Sequence, residues 1–188
     1  GRGGTLSNLG GIHSERGDLE EASDLFRQAI SLQRRALAVH PKHPTYLNFL
    51  QNHQWNLIET LFHQGRYSEA AAAAEEIVRS FPKVLRIYVY AAEMYLRCAE
   101  LKSENIDNDN ASSEIRRYRQ RACELLEESA KATDKTPDAI GSMAWHLLIW
   151  PDISARDPHR AHRLAEGLTN EFPKRGSFWR TMGIAHYR

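Results

Sequence analysis

The segment GDLEEASDLFRQA, residues 17–29, decides the fold class of this chain. Ala22, Phe26 and Ala29 recur at intervals of four and three residues, which places them on one face of a helix. The glycine that opens the segment marks the turn before this helix, and His40-Pro41 marks its end. We therefore predict an amphipathic helix from Leu19 to about Val39.

Three later stretches follow the same rhythm. Each has an amphipathic helix, a short break, and an Ala-rich second helix that closes near a proline. These second helices are predicted from Gly65 to Ile77, from Arg121 through Leu126, and from Asp157 through Leu168. Asp157-Pro158 is a good helix start, with Asp as the N-cap and Pro at the first helical position. Successive closing prolines lie farther apart than the roughly 34 residues of a standard helical repeat. These prolines are Pro41, Pro82, Pro137 and Pro173.

Small residues in the second helices indicate where helices cross closely. Alanine recurs at this position, and a larger residue such as Phe26 or Leu126 follows one turn later to fill the next groove. A single helix pair cannot bury its apolar face, so the pairs must stack. No alternating apolar run bounded by turn residues indicates a strand. The predicted fold class is all-α. The alanines are Ala22, Ala70, Ala122 and Ala161.

The pattern resembles the tetratricopeptide (TPR) repeats. Leu9-Gly10 with Ala22, Phe26 and Ala29 matches one such unit, although His13 replaces the usual aromatic residue. Trp179, Met182-Gly183 and His186-Tyr187 resemble the opening helix of a fifth unit. The resemblance implies a right-handed α-solenoid formed as one domain over residues 1–188. Its units span approximately 4–41, 44–82, 83–136, 137–173 and, incompletely, 174–188.

A narrower resemblance concerns residues 143–161 and 178–188. Met143 to Leu148, Pro151-Asp152 and Arg156 to Ala161 are similar to a variant unit found behind the catalytic domain of bacterial, planctomycete-type serine/threonine protein kinases. This implies a parent protein with a kinase domain outside the segment. The segment itself has no Gly-rich loop after a strand, no His-Arg-Asp triplet and no Asp-Phe-Gly. We expect it to be non-catalytic.

Composition excludes several classes of protein. The 25 Lys and Arg residues nearly cancel the 24 Asp and Glu residues, so net charge gives no general attraction to nucleic acid. The longest apolar run, Ala70 to Ala74, is far shorter than the roughly 20 residues of a membrane-spanning helix. We expect no nucleic-acid partner and no membrane contact by this segment.

The two cysteines, Cys98 and Cys123, are too few for a disulfide framework, which favours a reducing, cytoplasmic compartment. We expect them to be a buried pair of small apolar side chains rather than a disulfide. The chain begins at Gly1 without an initiator Met and stops at Arg188 within a helical pattern. We therefore expect a fragment of a longer protein, and that protein could be tethered to a membrane.

Histidine pairs suggest metal binding only weakly. His159 and His162 lie three apart on one helical face, and His40 and His43 flank Pro41. Zinc needs three or four converging ligands, and neither pair has a Cys, Asp or Glu at a familiar spacing. We expect no metal and no cofactor.

Two polar stretches also have ordinary interpretations. Residues 105–111 resemble a calcium loop but lack the glycine and the late glutamate of one, so a solvated loop is predicted. Arg116, Arg117, Arg119 and Arg121 spread around a helix, and no aromatic stacking platform accompanies them.

The TPR resemblance implies a binding surface. In such arrays the first helix of each unit lines a concave groove that holds a partner peptide. Ser7 and Gly11 replace residues of the Lys-Asn-Asn clamp that holds a C-terminal carboxylate in some members, which argues against a chaperone tail as ligand. The implied groove residues are Asn52, Trp55, Glu59, His63, Arg86, Glu93, Arg97, Trp145 and Arg180.

The groove residues combine aromatic anchors with both signs of charge, which suits a protein or peptide partner. The sequence leaves open whether Trp55 and Trp145 line the groove or fill the core between helices. An enzyme, acting through an attached kinase domain, is the alternative class of function. A third hypothesis is self-association through the apolar ends of the array.

Overall fold

The computed structural model describes residues 1–104, 109–129, 132–133, 135–149 and 156–187. Over these residues the chain forms nine α-helices and no β-strand, apart from a single bridge residue at Val84. The predicted all-α fold class is confirmed. The helices are α1 (Arg2–Arg16), α2 (Leu19–Val39), α3 (Pro44–His63), α4 (Tyr67–Ser80), α5 (Leu85–Glu104), α6 (Asp109–Glu128), α7 (Pro137–Ile149), α8 (Pro158–Glu171) and α9 (Gly176–Tyr187).

The chain divides into two compact units, Gly1–Ser80 and Phe81–Arg188. In the first unit, α1 packs on α2, α2 on α3, and α3 on α4. In the second unit, α5 pairs with α6, α7 with α8, and α8 packs on α9. The odd-numbered helices also contact each other within a unit: α1 touches α3, and α7 touches both α5 and α9. A single right-handed solenoid through both units stays a prediction.

The two tight turns of the first unit use glycine in the same way. Gly17 follows α1 with φ of 86°, and Gly65 follows α3 with φ of 73°. Only glycine adopts this left-handed conformation without steric cost. The residue after each glycine donates its amide to a carbonyl five residues back, Asp18 N to His13 O at 2.9 Å and Arg66 N to Leu61 O at 3.0 Å. This closes the helix ends and reverses the chain direction.

Two of the predicted helices begin where expected. Helix α2 runs from Leu19 to Val39, and α8 begins at Pro158. Asp157 caps α8, since its Oδ1 accepts a hydrogen bond from the backbone N of Arg160 at 2.8 Å. The cap supplies an acceptor to an amide that has no partner inside the helix.

One predicted helix start is wrong. Helix α6 begins at Asp109, well before the predicted start at Arg121. The solvated loop predicted over residues 105–111 is therefore helical from 109 onward, while 105–108 and Pro151-Asp152 lie outside the described residues. The early start has a physical reason, because Ile115 is buried and gives the polar first half of α6 an apolar anchor.

The core lies where small residues let helices approach. Ala22, Ala70, Ala122 and Ala161 are all completely buried, as the sequence pattern predicts. Two glycines allow a similarly close approach between helices. A Cβ atom at Gly10 would lie 3.0 Å from the Phe26 ring, and one at Gly141 would lie 2.8 Å from the Phe178 ring. Each aromatic ring therefore occupies the space that a side chain would need.

The contact between Gly141 and Phe178 predicts opposite effects for two Gly→Ala changes. In Gly167→Ala, on α8, the new methyl meets nothing within 4 Å, so the better helix former should stabilise the protein by up to about 1 kcal/mol. In Gly141→Ala the buried Phe178 ring must shift, and we expect a loss of about 1–3 kcal/mol. Chemical denaturation of both variants measures the difference. Equal stabilisation by both changes would contradict the tight packing.

A histidine is buried in the first unit without a polar partner. His53 of α3 is only 2% exposed, and its ring stacks parallel to Phe49 with centroids 6.0 Å apart. Among the described residues neither ring nitrogen has a hydrogen-bond partner. Burial lowers the pKa of His53 below its ordinary value of 6.5, since the charged ring would lose its hydration.

The lowered pKa of His53 predicts an acid-sensitive contribution to stability. As the pH falls through 6.5, the unfolded chain takes up a proton at His53 before the folded chain does, so the free energy of unfolding decreases. Replacing the ring in His53→Phe removes this contribution. Denaturant titrations between pH 7 and pH 5 should therefore show a smaller acid loss for the variant. Parallel losses in both proteins would count against a buried neutral histidine.

Candidate functional site

Two predicted groove residues from different repeats meet in the second unit. The guanidinium of Arg180, on α9, lies 5.2 Å from the ring centroid of Trp145, on α7. Trp145 is half-buried and Arg180 is exposed. This is the geometry of a cation–π contact, which holds an arginine over an aromatic face. It leaves Trp145 at the surface of the helix layer and not in its core.

The two residues border a cavity of about 300 Å³ between α7 and α9. Its base is apolar, because the Phe178 ring is buried there against Gly141. Hydroxyl groups and charged side chains surround this base. We call the lining residues the α7–α9 face: Asp138, Gly141, Ser142, Trp145, His146, Ser177, Phe178, Arg180 and Thr181. This volume is at the lower end of the range for ligand pockets, and it is large enough for one or two side chains of a partner.

His146 presents a defined ring nitrogen to this face. Its Nδ1 lies 2.7 Å from the carbonyl oxygen of Ser142. A carbonyl can only accept, so Nδ1 carries the hydrogen and the Nε2 atom of the neutral ring is an acceptor. Nε2 lies 4.0 Å from a carboxylate oxygen of Glu93, on α5. A third predicted groove residue, Glu93, therefore lies beside the α7–α9 face.

An ion pair links the two helices at one edge of the face. Arg175, just before α9, donates to Asp138, at the start of α7, at 2.5 Å. The guanidinium of Arg175 also lies 5.5 Å from the centroid of the Phe178 ring. Both charged side chains are exposed, so the pair adds little to stability. Its effect is to neutralise Asp138 at the mouth of the cavity.

The other predicted groove residues lie apart from this cavity. Arg86 of α5 is exposed and lies over the Tyr90 ring at 5.9 Å, and Arg97 is half-buried. In the first unit, Glu59 and His63 approach to 3.8 Å on α3. Asn52 is exposed there and Trp55 is half-buried. Their role in a groove stays a prediction.

A row of ion pairs in the first unit was not anticipated. Arg27 of α2 pairs with Glu69 of α4 at 3.2 Å, and Arg34 pairs with Glu76 at 2.5 Å. The sequence does hold a signal for it, since both arginines and both glutamates are seven residues apart. Residues seven apart lie on one helical face, so two parallel helices can pair them in register. A hydrogen bond from Arg66 lowers the pKa of the Glu69 carboxyl, and a second hydrogen bond from Arg27 lowers it further.

This row borders a second cavity, of about 570 Å³, between α2, α3 and α4. Its floor contains Leu57 and Leu61 of α3. Each carboxylate on its rim is already paired with an arginine of the facing helix. The row therefore joins the second helices of successive repeats.

Among the residues that the structure describes, no group of three or more His, Cys, Asp or Glu side chains is arranged to hold a metal ion. Cys98 is buried, but Cys123 is only half-buried, which corrects the expected buried pair; neither forms a disulfide. Among the described helices, none combines the length and apolar composition that crossing a membrane requires.

The contact between Trp145 and Arg180 predicts a measurable coupling. Trp145→Leu removes the ring and Arg180→Gln removes the charge, so each single variant loses the cation–π attraction. The double variant also loses this attraction, but only once, and its total loss of stability is therefore smaller than the sum of the two single losses. We expect a coupling energy of about 0.5–1 kcal/mol, as for other exposed pairs of this kind. A double-mutant cycle from denaturant unfolding measures it. Strictly additive effects would show that the two side chains do not interact.

Comparison with known proteins supports the helical-repeat assignment of the first helix pair. Residues 3–45, which span α1, α2 and the start of α3, match the family model for the tetratricopeptide repeat. No curated protein shows a significant match. Among solved structures, a thermophilic TPR protein of Thermus thermophilus is similar at 16% identity, with 99% of this chain and 100% of that chain covered. The TM-score of 0.37 is too low for that superposition to support an argument. The described residues have the all-α fold that the sequence predicts, and the match to the tetratricopeptide repeat is confined to residues 3–45.

Proposed function

We propose that this chain is a non-catalytic interaction scaffold and that the α7–α9 face binds an extended segment of a protein partner. The observation that carries the proposal is the meeting of Trp145 and Arg180 over a small cavity between two first helices. Aromatic and arginine side chains are the commonest anchors of protein interfaces. Here they border an apolar base and a hydroxyl rim, which together fit a short side chain and its backbone.

The charges of the α7–α9 face indicate the chemistry of the partner. Asp138 is neutralised by Arg175, whereas Arg180 is exposed and is held over Trp145 by a weak contact. An acidic side chain can therefore pair with Arg180 while a neighbouring apolar group enters the cavity above Phe178. The proposed ligand is an acidic residue beside a small apolar residue in an extended peptide.

A peptide-display selection on the intact chain tests this function. The library should hold random peptides, and we expect the selected peptides to contain an acidic residue next to an apolar residue. Arg180→Glu should raise the dissociation constant of a selected peptide at least tenfold, which corresponds to about 1.4 kcal/mol. Arg163→Glu is the matched control, because it makes the same charge change at an exposed position of α8. Equal weakening by both variants, or by neither, would contradict binding at the α7–α9 face.

The same selected peptides can map the extent of the groove. Arg86 and Arg97 of α5 belong to the predicted groove, and reversing both charges to Glu removes any attraction that they exert on an acidic ligand. A further loss beyond that of Arg180→Glu would extend the site to α5. Unchanged affinity would restrict it to the α7–α9 face.

The alternative function is a docking or regulatory region of a serine/threonine protein kinase. It is favoured by the resemblance of residues 143–161 and 178–188 to repeats that follow such kinase domains. Sequencing the complete reading frame that encodes this segment tests the alternative. A kinase domain in that frame would be recognisable from its Gly-rich loop, His-Arg-Asp and Asp-Phe-Gly motifs. Absence of these motifs from the whole frame would leave the scaffold without an attached kinase.

Self-association is a further hypothesis, and α1 supports it. Leu9 is 42% exposed and Ile12 is 46% exposed on that helix. Apolar side chains at the open side of a helical stack are the usual place for another helix to pack.

A further inference from the structure

Two histidines from neighbouring helices meet at the edge of the second unit. The Nε2 atom of His162, on α8, lies 3.2 Å from the Nε2 atom of His186, on α9. The ring centroids are 4.5 Å apart and the ring planes are almost perpendicular, at 88°. Because the nitrogens are closer than the centroids, the Nε2 ends of both rings converge on the same region. His162 is half-buried and His186 is exposed, so solvent reaches the pair.

This separation suits a shared metal ion as well as a hydrogen bond. Zinc binds imidazole nitrogens at about 2.0–2.1 Å in tetrahedral geometry, which places two such nitrogens roughly 3.3 Å apart. The neutral pair can hold one hydrogen between the two nitrogens, whereas a bound cation engages both lone pairs. The rings therefore need little movement to occupy two corners of a coordination sphere.

We propose that His162 and His186 form a two-histidine site for a divalent transition-metal ion of the zinc, nickel or copper type. Imidazole is a preferred ligand for these ions. The remaining coordination positions belong to water or to a group from a partner molecule. The proposal departs from the sequence-based expectation of no metal, which considered His162 only with His159.

The same helix offers supporting ligands near the pair. His159 lies three residues before His162 and Glu166 lies four residues after it, so both are on the same side of α8. Neither completes a three-ligand group in the described structure.

A bound ion would clamp α8 to α9. Because the ligands come from both helices, the folded hairpin holds the ion more tightly than the unfolded chain does, and binding stabilises the fold. Helix α9 also carries Arg180, so the clamp would hold the helix that positions one wall of the α7–α9 face. The metal proposal does not depend on peptide binding at that face.

Calorimetric titration of the full chain with zinc chloride, with no polyhistidine tag present, tests the site. We expect saturable binding of one ion per chain. His162→Gln and His186→Gln should each weaken it at least about tenfold, because loss of even a supporting residue costs a metal site that much. The matched control is His40→Gln, an exposed histidine of the first unit, which should bind zinc as the wild type does.

Nuclear magnetic resonance of the wild-type chain gives a measurement that needs no variant. The imidazole signals of His162 and His186 should shift together on zinc addition and return on addition of a chelator. Binding that is undiminished in either ring variant would overturn the site. Zinc-dependent shifts confined to other histidines would overturn it as well.

Discussion

The close approach of helices at residues with little or no side chain is the constraint on which this structure depends. Alanines such as Ala22 and Ala70 are completely buried, and Gly10 and Gly141 lie against aromatic rings. A helix pair with larger residues at these positions would separate, and the apolar faces between pairs would then be exposed. The stacking of successive pairs follows from this one requirement, because each pair covers the face that its neighbour cannot bury alone.

The candidate site is a consequence of the same packing. Phe178 enters the space that Gly141 leaves, and this contact sets how closely α9 lies to α7. Arg180 is on the next face of α9, two residues after Phe178, and at that distance it reaches over the Trp145 ring. The cavity has both apolar and polar lining, because the buried Phe178 of the helix contact and exposed side chains such as Arg180 border the same space.

Contacts between side chains on different helices add a second layer of organisation. In the first unit, Arg27 and Arg34 of α2 face Glu69 and Glu76 of α4 in register. In the second unit, His162 and His186 face each other across α8 and α9. Exposed ion pairs contribute little energy singly, so the Arg–Glu contacts are better understood as setting the register of helices that apolar packing already holds together.

The sequence by itself determined the helices and their order. The spacing of Ala22, Phe26 and Ala29, the prolines that end each pair, and the capping Asp157 are local signals, and each acts within a few residues. The early start of α6 was missed because its first half is too polar to show an apolar period, although Ile115 anchors it. Only the tertiary structure decided which side chains meet: Arg180 with Trp145, and His162 with His186 and not with His159. The physical reason is that helical periodicity specifies the face on which a residue lies, whereas a contact between helices also depends on their separation and relative shift, which packing of the whole unit sets.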